Sequence, residues 1–288
     1  MRAGYDLRLV PVMLVVVGLF GLGLGAALLE SVEAMGGDAA GSTLDHYRAI
    51  AIDREFHAAL GLTIWVAAAS TAISLVGGVG AALVLRRLTR GRPVAYAFLQ
   101  IPLAVPHLAI AVGLLTFASP GGWVSRLAFT VGLISAPAEF PALVYDSYGM
   151  GIILAYVMKE VPFLAVVATA LLLRLDDDHT AVARTLGASR WQRFRHVTWP
   201  MIAPGVGSAA LLVFAFVFAA FDTPYVLGRP YPAMLSVVAQ RRFLSLELAD
   251  RPGAMAFALV MTMLAGTLVW AYMRLSGGSA GRERPVIY

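Results

Sequence analysis

Six runs of mostly apolar residues, each long enough to cross a bilayer as a helix, limit what this chain can fold into. A helix rises about 1.5 Å per residue, so a hydrocarbon core of roughly 30 Å takes about 20 apolar residues. The runs are Leu9–Glu30, His57–Leu85, Val94–Ala118, Tyr148–Leu173, Val206–Gly228 and Gly253–Met273. They are continuous rather than alternating and rich in Leu, Ala and Gly, which points to helices rather than barrel strands. The expected fold class is therefore all-α and integral to the membrane, with six transmembrane helices in a single domain over residues 1–288.

Composition agrees and excludes other classes. Charged residues make up 14% of the chain, against about 25% in soluble domains. That cannot coat a soluble enzyme or supply a nucleic-acid-binding surface, and 59% hydrophobic residues exclude a disordered tail. The net charge of +5 is sorted by membrane side instead. With the N-terminus inside, segments 1–8, 86–93, 174–205 and 274–288 carry 14 of the 22 Lys and Arg. The outer segments 31–56, 119–147 and 229–252 are longer in total and carry 7. This bias places both termini in the cytoplasm. Arg2 and Arg8 precede an apolar run too long for a secretory signal core, and the following Glu30-Ser31-Val32-Glu33 is a poor cleavage site. The first run is thus expected to be a retained helix. Leu127–Tyr145 holds Pro137, Glu139 and Pro141, and is expected to be an external loop with a short helix at the interface.

Several features resemble chemistry but have simpler readings. Gly21-Leu22-Gly23-Leu24-Gly25 lies mid-span with no strand before it, so close helix packing is expected rather than a dinucleotide loop. Ser70, Ser74 and Gly78 recur every four residues and read the same way. Gly77-Gly78-Val79-Gly80 is not followed by Gly-Lys-Ser/Thr. The chain therefore shows no recognisable nucleotide site. It has no cysteine, which removes disulfides, thiolate-held metals and thiol catalysis. Its five histidines lack the three- or four-residue spacing that helical metal sites favour, and no metal is expected.

Four polar residues lie within or near spans. His107 follows Pro106, and Pro102 and Pro106 should bend the third span. Lys159 and Glu160 sit within the fourth, where ionisable groups are costly unless paired or hydrated. Adjacent helix positions point about 100° apart, so one of the two should reach another helix or a wet cavity. Structural pairing and a translocation-path role both remain open for His107, Lys159 and Glu160. Asp222, beside Thr223 and Pro224, reads either as part of that path or as a structural turn.

The largest inner loop, 174–205, is the most specific. Asp176-Asp177-Asp178 suits a helix start, where carboxylates meet the positive helix end. A helical run follows to Leu186, Gly187 breaks it, and a basic, aromatic run leads from Ser189 to Trp199-Pro200. Such an element could lie in a groove on a soluble protein or on anionic lipid. Aligned on Gly187, it resembles the coupling signature of binding-protein-dependent ABC-importer permeases, Glu-Ala-Ala-x3-Gly-x9-Ile-x-Leu-Pro. Ala183, Gly187 and Pro200 match, Val197 and Trp199 keep apolar character, and Ala181 stands where the signature has Glu. A salt bridge from that position is therefore not available.

The resemblance extends to the six spans. Ile101–His107, Lys159–Phe163 and Phe221–Gly228 are similar to the branch that imports polyamines, ferric iron and thiamine. It implies a permease subunit in the bacterial inner membrane, with a cytoplasmic coupling helix between helices four and five. Ala181, Val182, Ala183, Arg184, Leu186, Gly187, Ala188, Trp191, Val197 and Pro200 would contact the ATPase. Two ATPase subunits would bind ATP-Mg, this chain holding no cofactor and doing no covalent chemistry. A second, different permease chain, an external solute-binding protein and membrane lipid would be the other partners. Polyamine is the expected solute, with phosphonate, ferric iron and thiamine next. A proton-coupled carrier using Glu160 is the alternative, and a membrane assembly protein without a path is the third reading.

Overall fold

The computed structural model describes residues 10–32, 44–88, 92–175, 177–245 and 250–280. Arg2, Arg8 and Asp176 lie outside them. The described residues are helical, with no strand among them. In chain order the helices are α1 (Val10–Ser31), α2 (Asp45–Ile52), α3 (Arg54–Arg87), α4 (Arg92–Ala104), α5 (His107–Ala118), α6 (Trp123–Thr130) and α7 (Met150–Leu173). They continue with α8 (Asp177–Thr185), α9 (Arg190–Arg193), α10 (Trp199–Ala219), α11 (Asp222–Leu227), α12 (Leu235–Phe243) and α13 (Arg251–Ala280). Six helical stretches are long and apolar enough to cross a membrane.

Two spans differ from the sequence expectation. The third is not one helix over Val94–Ala118: the chain breaks between α4 and α5 at Val105-Pro106, and the stretch long enough to cross runs instead from His107 to Thr130, past the expected end of the span. Pro106 has no N–H to continue the ladder, and its ring disfavours the α conformation at Val105. The fifth does not run from Val206 to Gly228. Its apolar helix starts at Arg190 and stops at Ala219, and Ala220 is extended before α11 begins. Pro200 lies within this continuous helix, directly after the π-turn Phe194–Thr198, where its missing N–H leaves one carbonyl of the preceding turn without an intrahelical donor. Between Trp123 and Tyr145 the chain forms the short α6, a 3₁₀ turn at Pro137–Glu139 and an irregular run. That run is tied down where the Tyr145 N–H donates to the Leu227 carbonyl at 2.9 Å.

The chain gathers into two compact units. One comprises residues 1–57 and 237–264. Arg242 donates to Asp53 and, at 3.2 Å, to Glu55, while Arg241 also donates to Glu55. The Arg242 guanidinium lies over the Phe257 ring, 4.7 Å from its centre. Phe56 packs edge-on against Phe257. Arg251 approaches Glu30 at 3.6 Å. Three arginines that the sequence counts as external, Arg241, Arg242 and Arg251, are thus paired with acids. Burial raises the Asp53 carboxyl, but the Arg242 bond and charge and the backbone N–H of Glu55 and Phe56 outweigh it. The net effect holds Asp53 below the usual carboxylate range. The α1 glycines do not pack as expected: a Cβ at Gly21, Gly23 or Gly25 would meet no atom within 4 Å.

The other unit comprises residues 58–236 and 265–288. Ser70, Ser74 and Gly78 do form a packing stripe. Both serines are fully buried, and a Cβ at Gly78 would stand 2.7 Å from Leu164 Cβ and 2.9 Å from the Ala165 nitrogen. Only glycine lets α3 and α7 approach this closely. Towards the loop end, Val79 and Ala82 of α3, Ala168 and Leu172 of α7, and Ile202 and Val206 of α10 form one core, with Phe194 and Trp199 packed against it.

Candidate functional site

The inner loop is built by paired helix-end devices. α8 ends in a Schellman turn: the Ala188 N–H donates to Ala183 O and the Gly187 N–H to Arg184 O, both at 3.0 Å. Gly187 carries the turn with φ of +80°. A Cβ there would meet nothing within 4 Å, so glycine is required by backbone conformation rather than by space. Two residues on, Ser189 starts the next helix with a capping box. Its hydroxyl accepts from the Gln192 N–H at 3.3 Å, and Gln192 Oε1 accepts from the Ser189 N–H at 2.8 Å. This box is a functional element that sequence reasoning missed, although Ser-x-x-Gln is its signature. From Arg190 the helix runs through a π-turn, Phe194–Thr198, directly into α10. The second half of the loop is thus helix continuous with α10.

This geometry brings most of the sequence-selected coupling residues together. Val182, Ala183 and Leu186 face Val197, Pro200 and Met201 across a groove of about 390 Å³. Val182, Leu186 and Trp191 are 59%, 82% and 65% exposed. Val182 and Leu186 are one helical turn apart and present an apolar patch to the outside. Ala181 and Arg184 are exposed beside them, and Ala188 is half-buried behind Gly187. Trp191 leans on Phe194, with ring centres 5.6 Å apart.

A second cluster lies at the break in the third span. Lys159 and Glu160 are only 6% and 7% exposed. Lys159 Nζ donates to the Val105 carbonyl and, at 3.4 Å, to Leu103 O. These carbonyls belong to the C-terminal end of α4, where helix bonding runs out and the dipole favours a cation. Glu160 Oε1 lies 3.3 Å from His107 Nε2, an arrangement in which the ring N–H donates to the carboxylate. His107 is the first residue of α5, and a helix N-terminus favours an anion. The two adjacent charges of α7 thus bracket one break, each matched to the helix end it meets. His107 also packs against Phe216, ring centres 4.8 Å apart. Asp222 is the first residue of α11; among the described residues no hydrogen bond joins it to the others, but its charge and that of Glu160 both reach the buried Tyr156. Among those residues, too, no three of His, Asp and Glu converge where they could hold a metal ion.

Comparison with known proteins follows the same lines. Residues 73–277 match the family described as binding-protein-dependent transport system inner membrane component. The chain is 29% identical to the trehalose transport system permease protein SugA of Mycobacterium tuberculosis, over 75% of this chain and 70% of that protein. It is also 29% identical to the thiamine transport system permease protein ThiP of Brucella abortus, over 88% of this chain and 44% of that protein. The chain thus spans less than half the length of the thiamine permease. In structure it resembles a bacterial ABC transporter involved in import of the acidic polysaccharide alginate, with a TM-score of 0.77 and 20% identity over 94% of both chains. The bacterial alginate ABC transporter in complex with alginate pentasaccharide-bound periplasmic protein matches with a TM-score of 0.76 and 19% identity, over 94% of this chain and 91% of that one. These two likenesses concern the fold. The relatives named here point to trehalose and thiamine and give the polyamine expectation no support. Nor do they favour a proton-coupled carrier.

Proposed function

The chain belongs to the binding-protein-dependent transport system inner membrane component family, and on that premise we propose how it works as the membrane-spanning permease subunit of an ABC importer. The apolar face of Val182, Leu186 and Trp191, with the groove above it, docks on a separate ATPase subunit that binds ATP-Mg. Two ATPase subunits and a second permease of different sequence complete the membrane assembly in the bacterial inner membrane. Both termini lie in the cytoplasm, and a solute-binding protein delivers solute from outside.

One observation carries this reading: the docking face lies on elements rigidly continuous with a membrane span. α9, the π-turn and α10 form a single continuous helix over Arg190–Ala219. The Schellman turn and the capping box fix α8 to its start. Displacement of the docked face by ATP-driven closure of the ATPases then moves the fifth helix as a lever rather than dissipating in a slack loop. Gly187 is the joint that sets the angle between face and lever.

The path runs beside the break in the third span, where His107, Lys159 and Glu160 hold non-helical backbone at membrane depth. Such backbone is tolerated where it is buried in protein or lines a cavity. Trehalose and thiamine are the first solutes to test, because they are what the related permeases carry by name. Solute choice then rests with the binding protein.

Gly187→Asp tests the proposal. In the reconstituted complex it should abolish ATP-dependent uptake while leaving membrane insertion and subunit composition unchanged. Uptake near the unsubstituted level from a well-inserted variant would remove the coupling role from this loop.

A further inference from the structure

A cavity of about 420 Å³ opens beside the coupling segment, between the last turn of α3 and the helix leading into α10. Four arginines line it, Arg86 and Arg87 from one wall and Arg190 and Arg193 from the other, with Leu83 and Phe194 as apolar floor. Among the described residues that line it, none is acidic. Leu83 and Phe194 pack on the buried core of the same unit, so the floor is held in place.

We propose that this cavity binds the phosphate headgroup of an anionic phospholipid of the cytoplasmic leaflet. The proposal rests on the inside placement of the loop adopted under Proposed function. Guanidinium groups present planar forks that match phosphate oxygens in pairs, and they remain charged at any physiological pH. Arg87, Arg190 and Arg193 bring three such forks to one cavity, and Arg86, which has a further interaction partner, stands beside them. The apolar floor distinguishes a lipid from free phosphate, since Leu83 and Phe194 can take the glycerol and upper acyl carbons. Position argues in the same direction. Arg86 and Arg87 are the last two residues of a membrane-crossing helix, the level at which headgroups lie, and basic pockets between spans on the cytoplasmic side are where anionic headgroups collect. The bound lipid would tie the end of α3 to the start of the lever, so the charge of the membrane would influence how the coupling segment sits.

The test counts lipid on the intact full-length protein. The chain is purified in mild detergent from membranes containing phosphatidylglycerol, and native mass spectrometry reads the phospholipid retained. The same chain is exchanged into nanodiscs of phosphatidylglycerol or of phosphatidylcholine. The unsubstituted chain should keep phosphatidylglycerol and not phosphatidylcholine. Arg190→Gln/Arg193→Gln and, independently, Arg86→Gln/Arg87→Gln should each lower retention at least about tenfold, given the strength of charge-assisted bonds to phosphate. Arg195→Gln removes a charge from the same loop without touching the cavity and should retain lipid normally. Equal retention by all variants, or equal retention of the two lipids, overturns the proposal. Displacement of the lipid by millimolar inorganic phosphate assigns the site to a free anion and overturns it as well. So does retention that falls when the ATPase subunits are added, which would mark the arginines as a protein contact. A Ser189→Cys chain, otherwise free of cysteine, reports sidedness. Labelling of Cys at that position from outside by an impermeant maleimide would show that the orientation had failed, rather than the pocket.

Discussion

Replacing Lys159 with Met keeps length and apolar stem but removes the donor that closes the C-terminal end of α4. The Val105 carbonyl loses a bond from a cationic donor, and the contact to Leu103 at 3.4 Å adds little. Bonds to charged groups contribute about 1.5–3 kcal/mol. The substitution also strips the neighbouring cation from Glu160, which is 7% exposed, and breaking a buried charge pairing costs about 3–5 kcal/mol at the upper end. His107 still contacts Glu160, so the expected loss is about 2–4 kcal/mol. At about 2–4 °C per kcal/mol, the melting temperature of the detergent-purified protein should fall by roughly 4–16 °C. Hydrogen exchange should locate the damage, with amides around residues 103–110 exchanging faster than the rest of α5. Adding Glu160→Gln to Lys159→Met should recover part of the loss, since it removes the stranded charge. A Lys159→Met protein with unchanged melting and exchange would refute the bracketing argument. So would a double variant as unstable as the sum of the two singles, because groups that answer one another are not additive.

Other perturbations have equally definite outcomes. Gly78→Ala sets a Cβ against Leu164 Cβ and the Ala165 nitrogen, and overpacking of this kind costs about 1–3 kcal/mol. Gly80→Ala on the same helix meets nothing within 4 Å and should melt as the unsubstituted protein does. Gly187→Ala places a side chain at φ of +80°, at a cost of about 1–2 kcal/mol. It should uncouple transport partially and lower global melting by about 2–8 °C. Asp53→Asn removes a carboxylate whose pKa is lowered on folding, and the stability it contributes is present above the ordinary carboxylate pKa. The melting difference between the unsubstituted protein and Asp53→Asn should therefore be full at pH 7 and shrink as pH falls through the lowered value, measurable by a melting series down the acid range.

Much of the architecture is legible in the residues. Six apolar runs at bilayer length and the arginine bias suffice for the span count, because in hydrocarbon the backbone must satisfy itself and few solutions exist. The coupling segment is legible through Gly187, whose turn has a local chemical cause. What is hidden depends on register between distant helices. Pro102, Pro106, Lys159 and Glu160 are all visible as oddities, yet only the packing of α7 on α4 and α5 shows that the charges answer the break. The extent of the fifth helix is hidden for another reason. Arg190, Arg193 and Arg195 look like loop residues by polarity, but a helix can continue past the hydrocarbon edge, and the Ser189 capping box marks where it begins. The α1 glycines suggest packing without naming a neighbour, and none among the described residues supplies it.

The central claim is that the face around Leu186 touches the ATPase. Because the chain has no cysteine, Leu186→Cys introduces a unique thiol at a site 82% exposed. A short thiol-to-amine cross-linker is applied to native membranes, and the adduct is identified by mass spectrometry. The account predicts one dominant partner, a nucleotide-binding subunit carrying a Walker motif, with a cross-link yield that changes when ATP is added. Efficient thiol modification with no cross-link to such a subunit, in membranes where uptake is active, would contradict it.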